Sequence, residues 1–188
     1  MKSSLKTLAL VVLVCFGVFP AVAIAANEEH LEIIVNKGIA FSQAKKDGTI
    51  VVYDTVAAFD EHQIAVADCA RFKTEHKGAV WCFVSEANKN TFVAQNSNAT
   101  GNKYIPFAGG RCAYGVSNGN LAPAGDPQTA VLIRFGERPQ DVALVLNGNM
   151  DVRTNFLRDT QTRTAAARQY LWLARRLGTL IPNEKASQ

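Results

Sequence analysis

The stretch Tyr104-Ile-Pro-Phe-Ala-Gly-Gly-Arg-Cys-Ala-Tyr-Gly-Val116 concentrates small residues, aromatics and one cysteine behind a proline. Pro106 fixes the backbone where a helix would begin, and each glycine of Gly109-Gly110 costs on the order of 1 kcal/mol relative to alanine inside one. A sequence that carries this cost implies that something approaches the backbone closely there. Read as a helix, the segment sets Ala108, Cys112 and Val116 on one face at i, i+4 and i+8, with Cys112 among apolar neighbours in a core. The rest of the chain is ordered around it, with strands and a helix before it and strands followed by helices after it.

Working backwards, Ser85-Glu-Ala-Asn-Lys-Asn-Thr-Phe-Val-Ala-Gln95 opens on a good N-cap with an acid in its first turn. It predicts a helix packed by Ala87, Phe92 and Val93. Ala79-Val-Trp-Cys-Phe-Val84 is apolar on both faces, as a central strand should be, and pairs with 72–75 through a turn at Lys77-Gly78. Ile50-Val-Val-Tyr53 is a short β-branched strand leading into Asp54-Thr-Val-Ala-Ala-Phe59. For Ile33-Ile-Val35 both helix and strand fit.

Working forwards, Ser117-Asn-Gly-Asn120 ends the glycine-rich segment and 123–127 is a loop. Ala130–Phe135 and Val142–Leu146 form paired strands joined by Gly136-Glu-Arg-Pro139. Met150–Arg158 and Thr160–Leu177 are helices, the second with Ala166, Tyr170, Leu173 and Leu177 on one stripe, and with Gly178 and Pro182 beyond it as stops. No internal repeat, low-complexity tract or linker divides the chain. The order predicts an α+β domain, a small antiparallel sheet with helices packed on it and a C-terminal helical segment.

The amino terminus carries Lys2 and Lys6, an apolar run from Leu8 to Phe19, and small residues at Ala23 and Ala25. This reads as a signal peptide over residues 1–25, and the run is too short to span a bilayer, which takes ~20 residues. Cleavage predicts a periplasmic or secreted protein with no stable membrane anchor. Lys2 and Lys6 leave with the leader, so twenty basic residues become eighteen against sixteen acidic ones, a net charge near +2 that implies no nucleic-acid partner.

Three cysteines follow the leader, Cys69, Cys82 and Cys112. A Cys69–Cys82 bridge would close a short loop worth about 3 kcal/mol in the chain-entropy model. A two-residue turn at Lys77-Gly78 sets Lys73 opposite Cys82, however, leaving an extended Cys69 four strand positions away, roughly 13 Å at about 3.3 Å per residue. That exceeds the ~7 Å between Cα atoms that a disulfide tolerates. A bulge would repair the geometry and Cys112 offers either cysteine another partner, so the connectivity stays open at the level of sequence.

Taken together, Tyr53-Asp-Thr-Val-Ala-Ala-Phe59, Lys77-Gly-Ala-Val-Trp-Cys-Phe-Val-Ser85 with Asn88 and Phe92, and Tyr104-Ile-Pro with Gly109-Gly-Arg-Cys-Ala-Tyr-Gly-Val116 resemble exported YHS-domain proteins. Those read Y-D-P-V-A-Y-F, then G-x-x-W-x-F-x-S-x-x-N-x-x-x-F, then Y-x-P-x-x-G-G-Y-C-A-x-G-V, followed by Asp-Pro, a hairpin and a terminal helix bearing tryptophan. Asp126-Pro127 and Trp172 fit that continuation, so the resemblance covers roughly residues 50–175. It implies a YHS-type scaffold over 50–178, an N-terminal extension over 26–49 and a tail over 179–188. Metal-associated relatives carry cysteines in D-P-V-C and F-C-S-x-x-C; here Ala57, Val84 and Asn88 stand at those three positions. Alanine and valine cannot ligate a metal and asparagine suits soft ions poorly. The resemblance thus implies the scaffold without its thiolate site. Thr55 for proline and Arg111 for tyrosine are further departures.

The expected ligand site lies where the Trp81–Ser85 strand end meets the Gly109–Val116 segment. Trp81, Phe107 and Tyr114 would line it, with Arg111 supplying charge and Cys112 a thiol. Three function classes follow. The first is a non-enzymatic binding or accessory module for a small molecule, a metal ion or a periplasmic protein. The second is a copper or zinc handler using Cys82 and Cys112 with one of His30, His62 or His76, since thiolate and imidazole suit those ions. The third is a thiol-redox protein acting through Cys112. Asp60-Glu61-His62 reads as a solvated turn rather than an acid–base cluster, and no nucleophile elbow, phosphate loop or dinucleotide fingerprint is present. Arg153, Arg158, Arg163 and Arg168 recur every five positions, which spreads them around a helix.

Overall fold

Lys77 and Gly78 both take the left-handed backbone, at φ 52° and 71°, the pair of values a two-residue hairpin needs to match the twist of its strands. The computed structural model describes residues 33–98, 101–121, 124–136 and 141–176; the expected signal peptide and the C-terminal tail lie outside them. Around that hairpin, β5 (Lys73–His76) pairs antiparallel with β6 (Ala79–Cys82). On its other side β6 runs parallel to β2 (Ile39–Ala40), itself antiparallel to β1 (Val35–Asn36), in the order β1-β2-β6-β5. The strand expected to be central is central. Ile33 and Phe41 belong to the core with Ala40, so residues 33–49 are part of the body of the fold, and Ile33-Ile-Val35 leads into a strand.

β3 (Ser42–Ala44) and β4 (Ile50–Val52) make a second antiparallel pair, and β7 (Asp126–Arg134) and β8 (Val142–Asn147) a third. The helices are α1 (Glu86–Ala94), α2 (Ala113–Ser117), α3 (Met150–Leu157) and α4 (Thr160–Arg176). Ser85 Oγ accepts the Asn88 N–H at the start of α1 and Asn149 Oδ1 accepts the Val152 N–H at the start of α3, each satisfying a donor the helix leaves open.

The β7–β8 ribbon divides the core by the period of two. Leu144 and Leu146 face one cluster, with Trp81, Phe83, Phe92 and Tyr104, while Val145 between them faces the other, with Phe107, Val116, Phe156 and Leu171. On β7, Ala130 and Leu132 turn to the first cluster and Val131 to the second. Successive side chains of a strand point to opposite faces, so one ribbon closes two cores. Phe156, fully buried, anchors α3 there.

Three local expectations are corrected. In α1 only Phe92 is buried, since Ala87 and Val93 face outward. In α4 the buried stripe is Thr164, Ala167, Leu171 and Ala174, so Leu173 faces solvent. Cys69 and Cys82 are joined in a disulfide with Cα atoms 4.9 Å apart. The hairpin register does set Lys73 opposite Cys82; the error lay in extending the strand back to Cys69. Asp68 Oδ1 accepts the N–H groups of Ala70 and Arg71, and Phe72 N–H donates to the Asp68 carbonyl. This Asx turn folds Cys69 back across the strand end.

Candidate functional site

Asp54 is fully buried, and a buried carboxylate is stable only when hydrogen-bonded on all sides. Its Oδ1 accepts the N–H groups of Val56 at 2.7 Å and Ala57 at 3.0 Å. Its Oδ2 accepts the Val84 N–H and the Asn88 side-chain amide, both at 2.8 Å. The first pair starts the helical turn that continues as a π-helical segment over Ala57–Glu61. The second pair ties that turn to the exit of β6 and the first turn of α1. Asn88 also reaches Glu61 Oε1 at 3.4 Å.

Beside this clasp the π-helical segment presents Asp60. Its carboxylate accepts the Tyr104 hydroxyl at 2.6 Å and pairs with Lys103 Nζ at 2.9 Å, and Lys103 lies 4.5 Å from the centre of the Tyr104 ring. Burial, with the Asp60 carboxylate next to it, raises the Tyr104 phenol above its ordinary value. Burial opposes the charge on Lys103, but hydrogen bonds to Asp60 and Tyr104 outweigh it and hold that ammonium above its usual range. The three side chains thus close on one another. On the β5 edge, burial and then the charge of Lys77 depress His76; its ring stands edge-on to Phe92 at 5.8 Å.

The glycine-rich stretch is not one helix. Phe107–Gly110 forms a 3₁₀ turn in which Ala108, Gly109 and Gly110 are all left-handed, at φ 57°, 65° and 88°, a conformation open to glycine and costly for other residues. A Cβ placed on Gly110 meets nothing within 4 Å, so that glycine serves backbone conformation, while its carbonyl accepts the Gly125 N–H at 2.8 Å. Arg111 and Cys112 then run extended, bridging to Ala124 and Leu146, before α2 begins. Ala108, Cys112 and Val116 therefore share no helical face. Cys112 caps α2 without a side-chain hydrogen bond; the buried Asn147 does this from β8, its Oδ1 accepting the Tyr114 N–H at 3.2 Å.

The structure divides the expected ligand residues, with Trp81 in one core cluster and Phe107 and Tyr114 in the other. Trp81 packs in the first core cluster, tilted against Phe92 at 5.0 Å, with its indole N–H on the His76 carbonyl at 3.1 Å. Phe107 lies in the second cluster against Phe135. Tyr114 lies beneath the Arg163 guanidinium at 4.3 Å. Arg111 and Cys112 are adjacent and buried, 4 % and 7 % exposed. A recess bordered by Ile34, Phe41, Gly110, Gly125 and Leu146 has only water-sized space, and none of the five lines it. Cys82 is spent in the disulfide and Cys112 is free, so no Cys82–Cys112 thiolate pair stands ready for copper or zinc in this oxidised form. His62 and His76 join no group of metal-ligating side chains among the described residues, and His30 lies outside them.

The residue missed from sequence is Asp54, whose partners are 30 and 34 positions away. The available signal was the chain's own spacing of Asp54, Ala57, Val84 and Asn88 within the motifs quoted above. Ala57, Val84 and Asn88, the three positions singled out in the sequence, are three of its four donors. No family model, curated protein or solved structure matches this chain.

Proposed function

We propose that this chain is an exported binding or accessory module on a YHS-type scaffold, non-enzymatic, whose soft-metal position is taken up by a hydrogen-bonded clasp. The observation that carries the reading is the meeting of Ala57, Val84 and Asn88 on one carboxylate, within 3.0 Å of it. Positions far apart in sequence come together as a scaffold of this type requires, while the side chains there favour a structural role over thiolate ligation. The Cys69–Cys82 disulfide suits an oxidising compartment such as the periplasm. A small molecule or a periplasmic protein is the partner class this leaves.

Native mass spectrometry after titration with Cu(I) and with Zn(II) tests the reading. The expected result is an apo mass for the natural chain and one bound metal ion in the triple variant Ala57→Cys, Val84→Cys, Asn88→Cys. A folded triple variant that binds no metal would remove the scaffold assignment. Stoichiometric metal on the natural chain, lost with Cys112→Ser, would replace the proposal by soft-metal handling. Rapid alkylation of Cys112 in the native protein would replace it by thiol-redox chemistry, against the slow reaction that its burial predicts.

A further inference from the structure

Charge is distributed unevenly along this chain. Residues 150–176 hold six arginines and two aspartates, with no lysine or glutamate, a net charge of +4. Outside them, the chain after the leader has twelve basic residues against fourteen acidic ones. α4 itself has no acidic residue. Such segregation signals an anionic partner for the basic segment.

The fold sorts the arginines that sequence spacing seemed to scatter. Arg163 is half-buried, its guanidinium over Tyr114 and bonded to Asn118 Oδ1 at 3.2 Å. Arg168 and Arg176 are exposed, eight residues apart and so about 12 Å along the axis on one side of the helix. Trp172 stands midway between them, 49 % exposed, beside Leu173 at 41 %. Arg168 lies 4.9 Å from the Phe135 ring and Arg176 4.8 Å from the Trp172 ring. Neither has a carboxylate within ion-pair distance among the described residues. Each guanidinium rests on an aromatic face and keeps its hydrogen-bonding edges for another acceptor, the arrangement that suits phosphate.

We infer that the outer face of α4, formed by Arg168, Trp172, Leu173 and Arg176, docks on an anionic phospholipid surface. An indole and an isobutyl group side by side fit the boundary between headgroups and acyl chains, where amphipathic rings settle. Guanidiniums on either side of them meet the phosphates. The face is one helix wide and convex, which suits a plane better than a peptide, since a peptide takes a groove or a sheet edge. With one indole and two to three cations, docking is reversible and steeply salt-dependent.

The test is co-sedimentation of the full chain with vesicles of equimolar phosphatidylglycerol and phosphatidylcholine, with tryptophan emission read on the same samples. Trp81 is 1 % exposed, so a change in emission on docking reports Trp172. The expected result is sedimentation with a blue shift at low salt, both weakened at about 1 M salt, where the Debye length is near 3 Å. Arg168→Gln with Arg176→Gln lowers lipid affinity about thirtyfold, and Trp172→Phe removes the blue shift while sedimentation persists. Every protein compared has the same Leu8–Phe19 run, so lipid affinity from that run cancels. Equal binding to pure phosphatidylcholine vesicles, or undiminished binding by the double arginine variant, would overturn the inference. So would a Trp172 blue shift with polyglutamate but none with vesicles, which would assign the face to an acidic protein.

Discussion

The Asn88 amide donates to the Asp54 carboxylate at 2.8 Å, joining the first turn of α1 to a segment thirty-four residues upstream. The same oxygen takes the Val84 N–H, so removing Asp54 leaves buried donors at both ends of the clasp. Asp54→Ala should lower unfolding free energy by about 3–5 kcal/mol and Asn88→Ala by about 1 kcal/mol. Asp54→Asn preserves shape but turns one acceptor into a donor facing other donors, and should cost about 2–3 kcal/mol. Urea denaturation reads all three. An Asp54→Asn protein as stable as the natural one would show that the clasp does not hold the fold.

The Cys69–Cys82 disulfide spans thirteen residues. In the chain-entropy model a loop of that size contributes about 3 kcal/mol, or roughly 6–12 °C in Tm for a chain of this length. Reductant should therefore lower Tm by that amount in the natural protein and in Cys112→Ala, and leave Cys69→Ala/Cys82→Ala unchanged. If reduction leaves Tm where it was, the bridge is not a brace.

What the sequence revealed follows the range of the forces involved. The Lys77-Gly78 hairpin, the Ser85 cap, the β7–β8 pairing and the two C-terminal helices each rest on periodicity or on turn chemistry within a few residues. The Cys69–Cys82 pairing was legible only in part, because register depended on the turn at Lys77 while position depended on the Asx turn at Asp68. The glycine-rich stretch misled because glycine is as much at ease at positive φ as in a helix, and composition does not choose between them. Asp54 stayed hidden because its donors are backbone groups and one amide brought in from a distant segment. The separation of Trp81 from Phe107 was hidden for a similar reason, since they fall on opposite sides of a ribbon whose role as a divider appears only in three dimensions.

His76 gives a pH dependence of known sign. Burial, and then Lys77, hold its folded pKa below 6.5, so the neutral ring is the form the fold prefers. The stability it contributes is complete above 6.5 and is lost as pH falls through the depressed folded value. Its Nε2 is buried without a hydrogen-bond partner among the described residues, so protonation there gains no acceptor. Between neutral pH and about pH 5 the natural protein should lose more stability than His76→Gln. Parallel stability–pH curves for the two proteins would place that imidazole in water.

Backbone meets backbone where the Gly125 N–H donates to the Gly110 carbonyl at 2.8 Å, and of these two glycines it is Gly125 whose side-chain position is filled. A Cβ on Gly125 would overlap Leu146 Cβ and stand 3.3 Å from the Arg111 carbonyl oxygen, in the strip where the Arg111–Cys112 segment, the 124–125 loop and β8 lie side by side. Leu146 is 1 % exposed and its Cβ moves only with its strand, so neither partner can yield cheaply. Gly110 has open space and a φ of 88°. Gly125→Ala should therefore cost about 2–3 kcal/mol through overpacking, and Gly110→Ala about 1 kcal/mol through left-handed strain alone. The rank order in urea denaturation is the test. If Gly110→Ala proves the more damaging, left-handed strain outweighs overpacking in this strip; if Gly125→Ala is neutral, β8 and the 124–125 loop are not packed as tightly as their separation implies.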